Sequence, residues 1–262
     1  MSLGMVIKSP EGLVLAAESR VTLELHKKDD NHVVFNNFDN ATKLFSFSSP
    51  HNHIGVVTYG QAAIGQRTAH SFVPEYEETL TEKLSSIIDY AKSISNFYLE
   101  QWKKVMPASY SGPAMTFIVG GFNANEPHGR VYLFEIPNKP EPVEQSPGTG
   151  AFGITWGGQR EIVDRLIMGY DYQVLNTIFS ILKLTPEQIK QVMNEIQGKF
   201  QLQIPLDVMA LQDCIDLARL FISTTINAQG LTIGLRGCGG PVDIAIIQRG
   251  KELKYIQKKE AK

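Results

Sequence analysis

The first residues of the chain predict a β-hairpin, and this feature constrains the fold more than any other. Met5–Ile7 and Leu13–Ala17 are short apolar runs of the kind that form buried strands. Between them, Ser9–Gly12 places a proline two residues before a glycine, which is typical of a tight turn. The two runs therefore predict one antiparallel pair of strands.

The rest of the chain alternates between blocks of predicted strands and blocks of predicted helices. Further strands are predicted at Lys43–Phe47, Ile54–Tyr59, Met115–Phe122, Arg130–Ile136, Val242–Ile247 and Leu253–Ile256. Apolar residues at three- and four-residue spacing predict helices at Thr81–Met106, Gln159–Met168, Tyr172–Leu182, Thr185–Gln197 and Asp207–Ala228. The small residues within Gly60–Ala69 also favour a helix packed closely against a sheet.

Strands and helices that lie in separate blocks favour antiparallel sheets with helices on their outer faces. Two facing sheets between two helical layers would bury every apolar face. The sequence therefore predicts an α+β fold with four layers, an αββα sandwich of two antiparallel sheets flanked by helices. We interpret residues 1–262 as one domain, the polar stretch His26–Asn40 as an exposed loop or extended hairpin, and Lys258–Lys262 as a solvated tail.

Composition and charge argue against several classes of protein. Of the 262 residues, 43% are hydrophobic and 20% are charged, which is ordinary for a globular domain. The formal net charge of -2 argues against general binding to nucleic acid or membrane surfaces, because both usually need a basic face. No run of about 18 apolar residues predicts a membrane span. No secretory signal pattern opens the sequence, so a cytoplasmic location is expected.

The sequence predicts neither a metal site nor a cofactor. His51 and His53 lie near a turn without an evident third ligand. The glycines of segment 237–240 are not followed by the Gly-Lys-Ser/Thr of a phosphate-binding loop, so they indicate a tight loop. Cys214 falls in a helical apolar pattern and is interpreted as core. Cys238, between two glycines, is expected to be more exposed.

Five segments, in a fixed order, resemble segments of one known family. EGLVLAAESR (Glu11–Arg20) is similar to a hairpin of the form (D/N)GVVLAADSR, and NATKLFSFS (Asn40–Ser48) is similar to a segment with a catalytic lysine before a strand. HIGVVTYGQAAIGQ (His53–Gln66) resembles a strand that ends in glycine. Thr116–Ile136 and Gly239–Ile247 resemble a strand pair and a late strand. The family is the proteasome family of N-terminal-nucleophile (Ntn) hydrolases.

The resemblance covers most of the chain except about residues 172–207, which we interpret as a helical insertion. No long extension precedes the first hairpin, so the chain resembles the β-type subunits of the family more than the α-type. The resemblance implies the Ntn hydrolase fold, assembly into a homo-oligomer or a ring of subunits, and peptides or unfolded proteins as substrates.

In this family the first residue of the mature chain attacks a peptide carbonyl with its side-chain oxygen, and its own amine takes the proton. An α-amino group suits this task because its pKa lies near about 8. Counting back from the hairpin motif, the nucleophile falls on Ser2, which removal of Met1 would expose. The acid falls on Glu18 and the lysine on Lys43. A backbone N–H of the Gly60 turn is implied as the oxyanion hole.

Several family positions carry different residues here. The nucleophile is serine instead of threonine, and the acid is Glu18 instead of the usual aspartate, so its carboxylate needs a shifted geometry to reach Lys43. The family's serine between glycines corresponds to Gly157, and its later aspartate and serine fall near Leu235 and Cys238. Outside the family context, the glutamate and the lysine are readily interpreted as a structural ion pair.

The sequence is compatible with three functions. The first is an Ntn peptidase inside a ring oligomer, the second a non-catalytic proteasome-like subunit, and the third a non-peptidase Ntn amidohydrolase. The mature first residue separates the first two. A chain that matures to Thr, Ser or Cys just before the Gly4 strand is expected to be catalytic, and one without such a residue is expected to be structural.

Overall fold

A computed structural model describes residues 2–26, 33–148, 150–234 and 236–260 of the chain. The strands, in chain order, are β1 (Leu3–Ser9), β2 (Gly12–Glu18), β3 (Val21–His26), β4 (Val33–Phe38), β5 (Leu44–Ser46), β6 (Gly55–Gly60), β7 (Ala63–Ile64), β8 (Arg67–Thr68), β9 (Met115–Gly121), β10 (Arg130–Ile136), β11 (Lys139–Glu144), β12 (Gly153–Gly158), β13 (Val242–Ile247) and β14 (Lys254–Gln257). The helices, in chain order, are α1 (Val73–Thr79), α2 (Ile87–Val105), α3 (Glu161–Met168), α4 (Tyr172–Leu182), α5 (Pro186–Phe200) and α6 (Leu211–Gly230). Among these described helices, none is long and apolar enough to cross a lipid bilayer.

The described part of the chain contains two antiparallel sheets of five strands each. The first, which we call the N-terminal sheet, has the strand order β12–β1–β2–β13–β14. The second, which we call the central sheet, has the order β11–β10–β9–β6–β5. Strands β1 and β2 pair around the predicted turn, with Val6 opposite Leu15. The predicted hairpin and the α+β class with antiparallel sheets are therefore confirmed.

Apolar side chains connect the sheets to each other and to the helices. One buried cluster contains residues of both sheets, among them Leu15 and Ile118. A second cluster joins the central sheet to α1 and α2, where Tyr98 is buried. A third joins the N-terminal sheet to α3 and α6, where Phe221 and Cys214 are buried. Burial of each large apolar side chain is worth about 1.5–3 kcal/mol. The prediction that Cys214 belongs to the core is confirmed.

The helix predicted within Gly60–Ala69 was wrong. Gly60 and Gly65 have φ values of +87° and +60°. This left-handed conformation stops a right-handed helix. Strands β7 and β8 instead pair across the second glycine as a short hairpin, and the first α-helix begins only after it.

Helix starts follow from local capping. The helix predicted from Thr81 begins instead at Ile87, because Ser86 accepts a hydrogen bond from a backbone N–H of the first turn. Helix α5 begins with a capping box in which Thr185 and Gln188 satisfy each other's backbone N–H groups. The predicted bounds of α4 are confirmed.

Helices α4 and α5 occupy the stretch that we interpret as an insertion. Leu175 is the one buried residue of α4, and α5 has none. The polar stretch before them in sequence contains β3 and β4, which pair as a hairpin with Val21 opposite Phe38. Residues 27–32, which belong to that stretch, lie outside the described residues.

The Lys-rich C-terminal segment is not wholly a solvated tail, so that interpretation was wrong in part. Lys259 forms an ion pair with Asp243 of β13, and the Asp243 side chain is 3% exposed. The ion pair holds the segment against the N-terminal sheet. Ala261 and Lys262 lie outside the described residues.

Candidate active site

The four residues predicted for the site all lie at strand ends. Ser2 precedes β1 and Glu18 ends β2, and because these strands are antiparallel the start of one lies beside the end of the other. The backbone N–H of Leu3 donates a hydrogen bond to Glu18 Oε1 at 3.2 Å. Lys43 immediately precedes β5, and Gly60 ends β6. The pairing of β1 and β2 places Ser2 near Glu18, and Lys43 joins them through its ion pair with Glu18.

Glu18 is the centre of this cluster, and it is only 1% exposed. Its Oε1 atom accepts hydrogen bonds from Leu3 N–H and from the ammonium of Lys43, which is 6% exposed. Its Oε2 atom accepts from the backbone N–H groups of Arg20 at 2.7 Å and Gly239 at 3.0 Å. The longer side chain of glutamate thus still reaches the lysine. A buried carboxylate needs such partners to remain charged.

The Lys43 ammonium provides a fixed positive charge beside Ser2. Burial lowers its pKa from the ordinary lysine value, while Glu18 acts in the opposite direction. The ammonium also donates a hydrogen bond to the carbonyl oxygen of Arg20. A positive charge at such a depth acts strongly on neighbouring atoms, because little water screens it. It can stabilise negative charge that develops on a nearby oxygen.

Arg20 and Asp39 form a second ion pair that the sequence did not predict. The guanidinium donates to both carboxylate oxygens, from Nε at 2.6 Å and from Nη2 at 2.7 Å. This bidentate contact holds the pKa of Asp39 below its usual value. The same guanidinium donates to the carbonyl oxygens of Arg236 at 3.3 Å and Cys238 at 3.5 Å. Arg20 ends the hairpin motif, and that position is the signal that could have pointed to it.

Ser2 and Lys43 line one small cavity of about 20 Å³. A polar space of that size holds about one water molecule. Tyr59 and Gln61, which flank Gly60, also line it. A buried serine, an ammonium and room for one water therefore share one space next to the predicted oxyanion position.

Gly60 is required by the backbone at this position. A Cβ atom there would lie 2.2 Å from the carbonyl oxygen of Ala114. The backbone N–H of Gln61 donates to that same oxygen at 2.9 Å. The positive φ and the close approach of two strands both favour glycine.

We expect Gly60→Ala to lower the free energy of unfolding by at least about 1–3 kcal/mol, because alanine is strained at positive φ and clashes with Ala114. Urea denaturation measures the change. Gly198→Ala is the matched control, since Gly198 lies inside α5 with nothing within 4 Å of the added Cβ. The control is expected to be neutral or stabilising. Equal stability of the two variants would contradict the conclusion that the backbone requires glycine at position 60.

The structure explains why Gly157 stands where the family has a serine. A Cβ atom there would lie 2.3 Å from the hydroxyl oxygen of Tyr59. The tyrosine therefore fills the space that a serine side chain would need. Leu235, the second position that differs, lies outside the described residues.

Cys238 is 1% exposed, so the prediction that it is more exposed was wrong. Arg20 and Gln229 form hydrogen bonds with its backbone carbonyl and N–H groups. Burial raises the pKa of the thiol, and Glu18 acts in the same direction. A thiol that stays protonated near neutral pH is a poor nucleophile, so Cys238 is interpreted as a structural residue.

Two glutamine residues connect Ser2 with Cys238 through hydrogen bonds. The backbone N–H of Gln159 donates to the carbonyl oxygen of Ser2 at 2.6 Å. Gln229 donates from its side chain to Gln159 Oε1 at 3.1 Å and accepts from the N–H of Cys238 at 2.8 Å. No sequence pattern indicates this pair, because the two residues are 70 positions apart and belong to no motif.

Comparisons with known proteins bear on the fold. No protein-family model matches the chain, and no curated protein matches it in sequence. The chain is similar to the solved structure of an Anbu (Gly-1) mutant from Hyphomicrobium sp. strain MC1, with 16% identity and a TM-score of 0.58 over 99% of this chain and 86% of that chain. It is also similar to Anbu, an ancestral β-subunit, from Yersinia bercovieri, with 14% identity and a TM-score of 0.55 over 98% and 88% of the two chains. At these identities the likeness shows the fold, and the fold of this chain is proteasome-like.

Proposed function

We propose that this chain is a β-type proteasome-like subunit that hydrolyses peptide bonds with Ser2 as its N-terminal nucleophile. The observation that carries the proposal is the buried Glu18–Lys43 pair beside Ser2, around a space for one water. A buried ion pair is weak evidence for stability. Its position beside a buried serine at the predicted nucleophile position therefore favours a role in chemistry.

In the proposed reaction, Met1 is first removed so that Ser2 carries a free amine. As the Ser2 oxygen attacks the substrate carbonyl carbon, the amine takes the hydroxyl proton, directly or through a water in the cavity. The charge of Lys43 stabilises the attacking oxygen. The oxyanion is stabilised by the backbone N–H of Gly60, because the N–H of Gln61 donates to the carbonyl oxygen of Ala114. The peptide bond breaks, and the leaving amine takes the proton. Water then hydrolyses the ester and restores the serine.

The proposal includes the architecture around the site. We assign the two sheets and their helices to four αββα layers of one domain, with residues 172–207 as a helical insertion. The three apolar clusters, between the sheets and on the two outer faces, support this order. Assembly into a ring and action on peptides or unfolded proteins rest on the family resemblance. The free, buried thiols of Cys214 and Cys238 fit the reducing cytoplasm.

A second candidate function is that of a non-catalytic proteasome-like subunit. The small volume of the cavity favours it, because a peptide side chain does not fit into about 20 Å³. The contact of Tyr59 with Gly157 favours it too, because it leaves no room for the family's serine.

Peptide hydrolysis by two forms of the protein tests the proposal. One form begins at Ser2, and the other keeps Met1 in peptide linkage, so that its Ser2 nitrogen is not a basic amine. We expect the first form to cleave fluorogenic peptides and the second to be inactive, with equal midpoints of urea denaturation. Inactivity of both forms would favour the non-catalytic subunit, and equal activity would exclude Ser2 as an N-terminal nucleophile.

A further inference from the structure

Two groups of Lys259 contact the carboxylate of Asp243, a residue of the N-terminal sheet. Its backbone N–H donates to Asp243 Oδ1 at 2.8 Å, and its ammonium pairs with Oδ2. Asp243 is 2% exposed and lies opposite Ala17, the residue before Glu18. The C-terminal segment therefore contacts β13, which pairs with the strand that ends in Glu18.

The same ammonium contacts the two segments that carry the buried ion pair. It donates to the carbonyl oxygen of Ala41 at 3.1 Å and lies 3.5 Å from the hydroxyl oxygen of Ser19. The backbone N–H of Ala41 in turn donates to the carbonyl oxygen of Ser19 at 2.9 Å. Ser19 follows Glu18, and Ala41 is two residues before Lys43. One ammonium thus contacts the backbone beside each partner of the ion pair.

We propose that Lys259 is a positioning residue for the reaction proposed above. It holds Ala41 and Ser19 together and so fixes the Lys43 ammonium against Glu18. The inference rests on the proposed function, because it assigns Lys259 a role in that same site. It differs from a purely stabilising role, since a displacement of about 1 Å in a catalytic group can lower a rate about a hundredfold without unfolding the protein.

Lys259 also acts on Lys43 through its charge. Burial lowers the pKa of Lys43 most, Glu18 and Cys238 act in the opposite direction, and Lys259 lowers the pKa further. Asp39 faces the same ammonium from the segment before β5. Removal of the Lys259 charge is therefore expected to raise the pKa of Lys43. The loss of activity at alkaline pH, where Lys43 is deprotonated, then moves to higher pH.

Three variants, each beginning at Ser2, test the role of Lys259 through the rate of covalent labelling by a peptide β-lactone, followed over pH by intact mass. The contacts of the Lys259 ammonium with Ala41 and Ser19 are called the clamp. Lys259→Met removes the clamp but leaves Asp243 buried and without its ion-pair partner. Lys259→Met/Asp243→Asn removes both charges and avoids that penalty. Lys258→Met is the matched control, because the Lys258 ammonium lies over the Tyr255 ring and forms no ion pair with Asp243.

We expect the single Lys259 variant to lose stability in urea and to label about tenfold more slowly. The double variant is expected to recover the urea midpoint and to remain slow. The single variant, which removes only the Lys259 charge, is expected to lose activity at higher pH than the unaltered protein. Faster amide hydrogen exchange across residues 40–44 in the double variant is expected as the direct sign of a lost clamp. The Lys258 variant is expected to match the unaltered protein.

A double variant that recovers both stability and labelling rate would show that Lys259 only stabilises, and would overturn the inference while the proposed function stands. An unaltered protein that is never labelled would remove the proposed function and this role with it. Unchanged hydrogen exchange in the double variant would show that there is no clamp.

Discussion

Replacement of Lys43 by methionine is expected to abolish covalent labelling of Ser2 and to lower the free energy of unfolding by about 3 kcal/mol. Removing one partner of a buried ion pair leaves the other charge without compensation, at a cost of about 3–5 kcal/mol. The lower end applies here, because the Glu18 carboxylate keeps hydrogen bonds from the backbone N–H groups of Leu3, Arg20 and Gly239. Urea denaturation gives the stability, and intact mass gives the labelling.

The double variant Glu18→Gln/Lys43→Met separates stability from chemistry. It removes both charges, so most of the lost stability is expected to return. Labelling is expected to stay absent, because no ammonium is left beside Ser2. A single Lys43 variant with the stability and the labelling rate of the unaltered protein would contradict the assignment of this pair to the site.

Ser2→Ala is expected to lower peptide hydrolysis at least about a thousandfold, because it removes the atom that attacks the carbonyl. Stability is expected to change by no more than about 1 kcal/mol, the typical net value of one hydrogen-bonding group. Peptide assays and urea denaturation on the same preparation measure both effects.

Ser9→Ala is the matched control for Ser2→Ala. Ser9 is a buried serine at the other end of the same strand, and its hydroxyl donates to the carbonyl oxygen of Gly12 at 3.1 Å. Its loss is expected to affect stability by a similar amount and to leave hydrolysis unchanged. Loss of activity in both variants would show that Ser2→Ala lowers hydrolysis by disturbing β1 and not by removing a nucleophile.

Sequence patterns predicted those parts of the fold that depend on neighbouring residues. The β1–β2 hairpin and helix α4 were predicted because turn residues and apolar spacing act locally. The segment from Gly60 to Gly65 was predicted wrongly, because its small residues suit a helix and the sequence does not reveal their positive φ values. At Gly60 that conformation accompanies the close approach of Ala114, a residue far away in sequence.

For the candidate site too, some residues could be predicted from the sequence and others could not. Ser2, Glu18 and Lys43 could be named in advance because Glu11–Arg20 and Asn40–Ser48 resemble segments of a known family. The contacts that hold these residues in place could not. The pair Gln159–Gln229 and the pair Asp243–Lys259 each join residues from separate elements, and neither has a periodic or compositional signal.

The central claim is that Ser2 is a nucleophile activated by its own amine and by Lys43. The most direct test is intact-mass analysis of the protein that begins at Ser2 after treatment with a peptide β-lactone, with peptide mapping of the adduct. The account predicts one adduct per chain, located on Ser2 and absent in both Ser2→Ala and Lys43→Met. No adduct, or an adduct that persists in Ser2→Ala, would contradict it.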